Sequence, residues 1–298
     1  MGIKGKIKNA VISNLCRSYV LARLINLLSL ERAYGEYESG VIVFQMGKVG
    51  SSSIYESLKR IGLNLPVYHA HVLRPAQLVA IEKLIRANWS PTRNPLHLWH
   101  SLFLQNKLKQ KPRKKWKVIT LVRDPIARNI SAFFQTKHLL SADEQRLLLS
   151  STNADELRDL FLEKFYAHEA PISWFDDELK PVFGVDVFEQ PFPRETGYCI
   201  YEGEMADVLL IRLEDLGRCQ TDAIREFLGV DNFKMKKTNV GKDKSYSEAY
   251  SRMLSSIRLP KTYAEQMYQS KYTQHFYSSD EIAKFSHRWL GASDVITI

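Results

Sequence analysis

The chain has 298 residues, 45% hydrophobic and 25% charged, enough for one large domain or two small ones with a real core. Its formal net charge of +9 favours an anionic ligand, polymer or surface. Three dispersed cysteines, Cys16, Cys199 and Cys219, have neither CxxC nor metal-ligand spacing; this argues against a disulfide scaffold or zinc site and for a reducing, cytoplasmic compartment.

The first segment, "NAVISNLCRSYVLARLINLLSL", is apolar but interrupted by Arg17 and Arg23, which argues against a spanning helix or a signal peptide. It reads as an amphipathic helix with basic flanks at Lys4, Lys6 and Lys8. Such a helix either packs on the domain or lies on a membrane surface or partner, so residues 1–30 are the expected place of any peripheral membrane contact. Gly2 lacks the downstream Ser or Thr of a myristoylation motif, because position 6 is lysine. Residues 1–39 are expected to form a helical N-terminal arm, and 40–298 one α/β domain.

From Gly40 onward, strand-like apolar runs alternate with helical periodicity, predicting a largely parallel sheet flanked by helices. The spacing predicts a strand over 41–45, a loop over 46–50 and a helix over 51–61. "NLPVYHAHV" predicts a short strand ending near His69 to His71. Pro75 opens a helix with apolar positions Leu78, Ile81, Leu84 and Ile85. Asn94 reads as an N-cap and Pro95 as the first residue of a helix over 95–109. "KLKQKPRKKWK", Lys107 to Lys117, reads as a solvated basic linker. Polyanion binding is its alternative, but no aromatic interleaving or recognition helix accompanies it, so nucleic acid is not the expected partner.

"WKVITLV", 116–122, predicts a central strand, and a helix follows Arg123-Asp124-Pro125. Another helix is expected over 153–166, then a looser stretch rich in proline and aromatics over 171–198. "ADVLLIRLEDL" predicts a late strand and "QTDAIREFLGV" a helix ended by Gly229. From Lys234 the chain is polar and tyrosine-rich, with no strong strand expected.

Two strand-to-helix junctions carry chemistry. The first, "FQMGKVGSSSIY", holds Lys48, Val49, Gly50, Ser51, Ser52 and Ser53, where helix N–H groups can converge on an anion. Its lysine precedes the last glycine, unlike the Gly-Lys-Ser/Thr order of nucleotide-triphosphate loops. The second holds Arg123 at the strand end and Ser131 eight residues later. Parallel strands bring both junctions to one sheet edge. One site could then grip two separated phosphates, with amides and lysine on one and an arginine fork and hydroxyl on the other.

Together, "KVGSSS" and "RDPIARNIS" resemble the two cofactor motifs of sulfotransferases that use 3′-phosphoadenosine-5′-phosphosulfate (PAPS). "LLIRLEDL" and "AIREFLGV" resemble that family's later strand and helix, and the likeness extends over most of 41–290. "SKYTQHFYSSDEIAKF" is similar to the C-terminal signature of bacterial carbohydrate sulfotransferase-like proteins grouped under capsular polysaccharide synthesis, with Ser270 and Tyr272 in place of its asparagine and tryptophan. The resemblance implies a nucleotide-kinase-like, P-loop-type sulfotransferase fold and transfer of a sulfuryl group from PAPS to a hydroxyl, with adenosine 3′,5′-bisphosphate as product. Lys48 and residues 49–53 would hold the phosphosulfate, Arg123 and Ser131 the 3′-phosphate, and no metal is implied. The expected acceptor is a saccharide or another hydroxyl-bearing molecule.

"VYHAHV" sets His69 and His71 on one face of a strand. Uronyl 2-O-sulfotransferases carry a similar Tyr-His-Gly-His-Val run with a catalytic histidine, where this chain has Ala70. His69 or His71 is therefore the expected general base, with His69 preferred. Rival bases are His97 and His100 on the 95–109 helix, and His168, Glu169, Asp176 and Asp177 around "HEAPISWFDDE". Arg128 and Asn129 read as structural, and "NVGKDKSYSEAY", 239–250, reads either as a loop folding over the nucleotide or as a surface loop. The competing functions are a noncatalytic polyanion- or glycan-binding module and a phosphoryl-transfer kinase. The kinase is disfavoured because Val-Gly follows Lys48 where a magnesium-binding hydroxyl is needed.

Overall fold

Trp116–Val122 (β3) is buried at every position but Lys117, as a strand covered on both faces must be. In the computed structural model, which describes residues 17–91, 94–109, 113–231, 233–235 and 246–291, it is the centre of a five-stranded sheet. The other strands are Val41–Phe44 (β1), Val67–Ala70 (β2), Tyr198–Tyr201 (β4) and Ala206–Arg212 (β5), in the spatial order β2-β1-β3-β5-β4. β2, β1, β3 and β5 are parallel, and β4 runs antiparallel along the edge of β5. The molecule is a single α/β domain whose parallel strands all deliver their carboxyl ends to one edge.

Helix Ser51–Ile61 (α2) follows β1, and Pro125–Gln135 (α5) follows β3. Residues 17–39 are the described part of the N-terminal arm, with Tyr19–Tyr34 (α1) its helix; residues 1–16, with Lys4, Lys6, Lys8 and Cys16, lie outside the described residues. Its Tyr19 and Ala22 pack with Leu78, Leu98, Trp99 and Leu102 in a second apolar cluster. Those partners come from Pro75–Ala87 (α3) and Leu96–Lys107 (α4). The Tyr19 hydroxyl donates to Glu82 at 2.7 Å, and Arg23 pairs with the same carboxylate at 2.9 Å. Cys199 and Cys219 are free thiols.

Several expectations shift. Pro95 stands just before α4 rather than at its first position, and the Asn94 side chain accepts from Trp99 Nε1 at 2.8 Å instead of capping. The expected loose stretch is helical in its first part: after Ala154–Lys164 (α7), residues Ala170–Trp174 (α8), a π-helical turn Phe175–Leu179 and Lys180–Phe183 (α9) run on as one helical unit, and 184–197 holds neither helix nor strand. Pro171 sits in the first turn of α8, where no N–H is missed. Pro181 lies inside the unit, and the carbonyl four residues before it, that of Asp177, accepts from Arg74 Nη1 at 2.9 Å instead. Ala142–Ser150 (α6) lies before α7, and Leu216–Leu228 (α10) follows β5. The tyrosine-rich tail is helical: Ser247–Ser256 (α11), Lys261–Tyr268 (α12), Lys271–Phe276 (α13) and Ser279–Trp289 (α14). Ser278 and Glu281 form a capping box that starts α14. Residues 239–245 of the expected covering loop lie outside the described residues.

Candidate functional site

After β1 the chain turns through Gly47 to Gly50 into α2. Lys48 has φ 79°, the one non-glycine residue with positive φ among the described residues. That conformation costs an L-residue about 1–2 kcal/mol, so surrounding contacts must hold it. Arg123 Nη1 donates to the Lys48 carbonyl at 2.9 Å, and Arg128 Nε to the Gly47 carbonyl at 3.1 Å. Lys48 Nζ reaches Gln135 Oε1 at 2.9 Å. Gly50, at φ 95°, caps α2, and a Cβ there would meet Leu213 Cδ1 at 3.0 Å. First-turn N–H groups of a helix have no intrahelical acceptor, and here they open beside a lysine and an arginine.

The turn bearing Arg123 is clamped from the tail. The Tyr272 hydroxyl accepts from the Arg123 N–H at 2.9 Å and donates to the Arg123 carbonyl at 2.8 Å. Asp124 caps α5 by accepting from the Ile126 N–H at 3.0 Å, and also accepts from Tyr268 at 3.1 Å and Trp289 Nε1 at 3.2 Å. Its own N–H donates to Glu214, which in turn accepts from Tyr277. Burial pushes both carboxyls above their usual range. Arg128 and Asn129 are structural: Asn129 donates to the His168 carbonyl and to Tyr263, while Arg128 braces the lysine turn. Burial lowers the Arg128 guanidinium to about 10, still charged at neutral pH.

These junctions meet in a cavity of about 380 Å³. Lys48, Gly50, Ser51, Ser52 and Ser53 form one wall, and Arg123 and Ser131 another. His71, from the end of β2, also lines it. Val49 does not; it is fully buried in the core. Gly47 joins the first wall, and Gln135, Leu213, Tyr246 and Tyr250, which were not singled out from sequence, complete the lining. Tyr246 and Tyr250 belong to the late segment expected to fold over a nucleotide, but a tyrosine in a polar tail gives no local signal of its target.

Four histidines converge beside the cavity. His69 and His71 have ring centroids 4.7 Å apart, and His97 lies 4.9 Å from His71. His69 is 8% exposed and stacks on Tyr55. Its backbone N–H donates to His100 Nδ1 at 2.8 Å, so that nitrogen carries no proton. His71 Nδ1 lies 2.8 Å from the Gln45 carbonyl. A carbonyl only accepts, so Nδ1 holds the hydrogen and Nε2 keeps the lone pair. Burial lowers all four rings, His69 to about 2, His97 to about 3 and His100 to about 4, and His71 also below its ordinary value. They are neutral at pH 7.

The loop beyond His71 is fixed from the α8 unit. Trp174 Nε1 donates to the His71 carbonyl at 3.2 Å, and Glu178 Oε2 accepts from the N–H groups of Leu73 and Arg74 at 2.9 and 3.2 Å. Among the other rival bases, the His168 ring nitrogen Nδ1 is engaged with Tyr263 at 2.9 Å.

A family model described as "Putative capsular polysaccharide synthesis protein" matches residues 153–278. The match associates the chain with polysaccharide synthesis. It covers less than half of the chain and includes Trp174, Glu178, Glu214, Tyr246, Tyr250 and Tyr272, which brace or line the cavity. The lysine turn, His71 and Arg123 lie outside it. Neither a curated protein nor a solved structure matches the chain.

Proposed function

We propose that the protein transfers a sulfuryl group from 3′-phosphoadenosine-5′-phosphosulfate to a saccharide hydroxyl. The observation that carries this reading is the meeting of Lys48, Arg123, Ser131 and His71 in one cavity at the carboxyl edge of the sheet. The donor set fits the nucleotide: the described lining holds an ammonium, a guanidinium, several serine hydroxyls and a helix N-terminus, and no carboxylate. A small ligand with two separated anionic groups matches that arrangement.

PAPS supplies an activated sulfuryl group attached to a nucleotide phosphate that leaves. The α2 N-terminus and Lys48 are suited to the phosphosulfate end, and Lys48 would exchange its Gln135 contact for the oxygens there. Arg123 and Ser131 are suited to the 3′-phosphate. His71 accepts the acceptor's hydroxyl proton at Nε2, while the Gln45 carbonyl holds Nδ1–H and fixes the ring. His71 thus displaces His69 as first candidate for the base, because His69 sits behind it against Tyr55. A saccharide acceptor is favoured by the match to polysaccharide synthesis.

The binding-module alternative draws on the basic run 107–117, of which residues 110–112 lie outside the described residues. Several of its cations are committed within the fold. Lys115 and Lys117 both pair with Asp207, at 3.1 and 3.0 Å, and Lys107 donates to the Gly35 carbonyl. The test is a thermal-shift comparison of adenosine 3′,5′-bisphosphate with ATP, GTP and NAD. The bisphosphate should stabilise most; unselective stabilisation that collapses with salt would favour a polyanion binder.

A further inference from the structure

We propose that the outer face of α1 docks this protein on an anionic lipid surface. α1 is apolar on two opposite sides. Tyr19, Ala22, Leu27 and Leu30 turn inward to the second cluster. On the other side, Val20, Leu21, Leu24 and Leu28 are 57%, 39%, 52% and 60% exposed. Positions 20, 24 and 28 repeat every four residues, so they form one stripe with Leu21 beside it and exposed Arg17 at its head. A surface helix ordinarily turns polar side chains outward; a contiguous aliphatic stripe marks a docking face.

Charge selects the occupant. Residues 1–30 contain Lys4, Lys6, Lys8, Arg17 and Arg23 and neither Asp nor Glu. The first acidic residue is Glu31, and Glu36 and Glu38 follow it. Arg23 is paired with Glu82, and at the C-terminal end Arg32 adjoins Glu31 while Arg113 pairs with Glu38. The excess of positive charge therefore comes from Lys4, Lys6, Lys8 and Arg17 and lies on the N-terminal side, the side drawn to an anionic surface. Apolar face plus basic cluster is the two-part signal that holds a peripheral protein on anionic lipid. No described helix is long and apolar enough to cross a membrane, so this contact would be interfacial.

The test is co-sedimentation of the full chain with vesicles of phosphatidylcholine alone and of phosphatidylcholine mixed equally with phosphatidylglycerol. Binding is expected only to the mixed vesicles, weakening as salt rises. The double variant Leu24→Glu, Leu28→Glu changes only exposed positions and should keep its melting temperature while losing ~10²-fold or more in vesicle affinity. Replacing Lys4, Lys6 and Lys8 by glutamine should cost ~10²-fold. The proposal is overturned if mixed vesicles bind no protein, if both vesicle types bind it equally, or if the double glutamate variant binds like the parent. It also fails if the parent ignores vesicles and sediments as a dimer that the double variant abolishes, because a second copy would then cover the stripe.

Discussion

Arg123 Nη1 donates to the backbone carbonyl of Lys48 across 2.9 Å, joining the two junctions of the sheet edge through one hydrogen bond. The arginine therefore holds the left-handed lysine turn and also lines the cavity. Arg123→Ala should erase the difference in thermal stabilisation between adenosine 3′,5′-bisphosphate and adenosine 5′-monophosphate. A difference that survives in the variant would remove Arg123 from the 3′-phosphate site.

At Lys48, backbone and side chain can be separated. Lys48→Ala and Lys48→Gly both delete the ammonium, and each should lower turnover by at least ~10²-fold. Only glycine adopts φ 79° without steric cost, so the glycine variant should be more stable than the alanine variant by about 1 kcal/mol. Denaturant unfolding of the pair checks the strain, and turnover checks the charge. Equal stability would mean the turn relaxes when the lysine is removed.

His71→Ala should lower turnover ~10²–10⁴-fold while leaving nucleotide stabilisation intact. Because burial lowers the His71 pKa, the ring is already unprotonated at neutrality. The rate should be flat through pH 7 and fall only in acid, with its inflection below the ordinary imidazole value of 6.5. An inflection at or above that value, or an unchanged profile in His71→Ala, would place the base elsewhere.

The same burial ties fold stability to pH. His69, His97 and His100 have folded-state values of about 2, 3 and 4, below the ordinary 6.5. Below 6.5 the unfolded chain binds protons that the folded chain refuses, so stability must drop as pH falls and level off above it. The rings also repel one another's charge, so the loss is shared across the cluster rather than independent at each ring. His69→Leu, which keeps the position apolar, should make the acid limb of a urea-midpoint profile shallower. A profile as steep as the parent's would show that His69 is charged or hydrated in the fold.

Glu178 links the π-helical turn to the loop after β2, and its effect should reach His71 without touching the nucleotide. Glu178→Ala strands the buried N–H of Leu73 and exposes that of Arg74, costing about 1–3 kcal/mol. Turnover should fall with nucleotide stabilisation retained, and Glu178→Gln, which keeps an acceptor oxygen, should recover much of both losses. Loss of nucleotide stabilisation in Glu178→Ala would show that the two walls of the cavity are not independent.

The sequence by itself determined β1 with its glycine turn and α2, and β3 with Arg123 and α5. Each is written locally, as a β-branched apolar run broken by glycine or proline and followed by helical periodicity. Parallel pairing of β1 with β3 then needed only the alternation of strands and helices. Tertiary structure decided the rest. Which of two histidines on one strand face reaches the cavity depends on Tyr55, Gln45 and Trp174, which approach from three other segments. Gln135 became the partner of Lys48, and Tyr272 the clamp on Arg123, by contacts spanning 87 and 149 positions. Helical spacing announces which face of an element is apolar. It carries no record of which distant polar atom will satisfy a given side chain, because that pairing is fixed only when the packed core brings the two together.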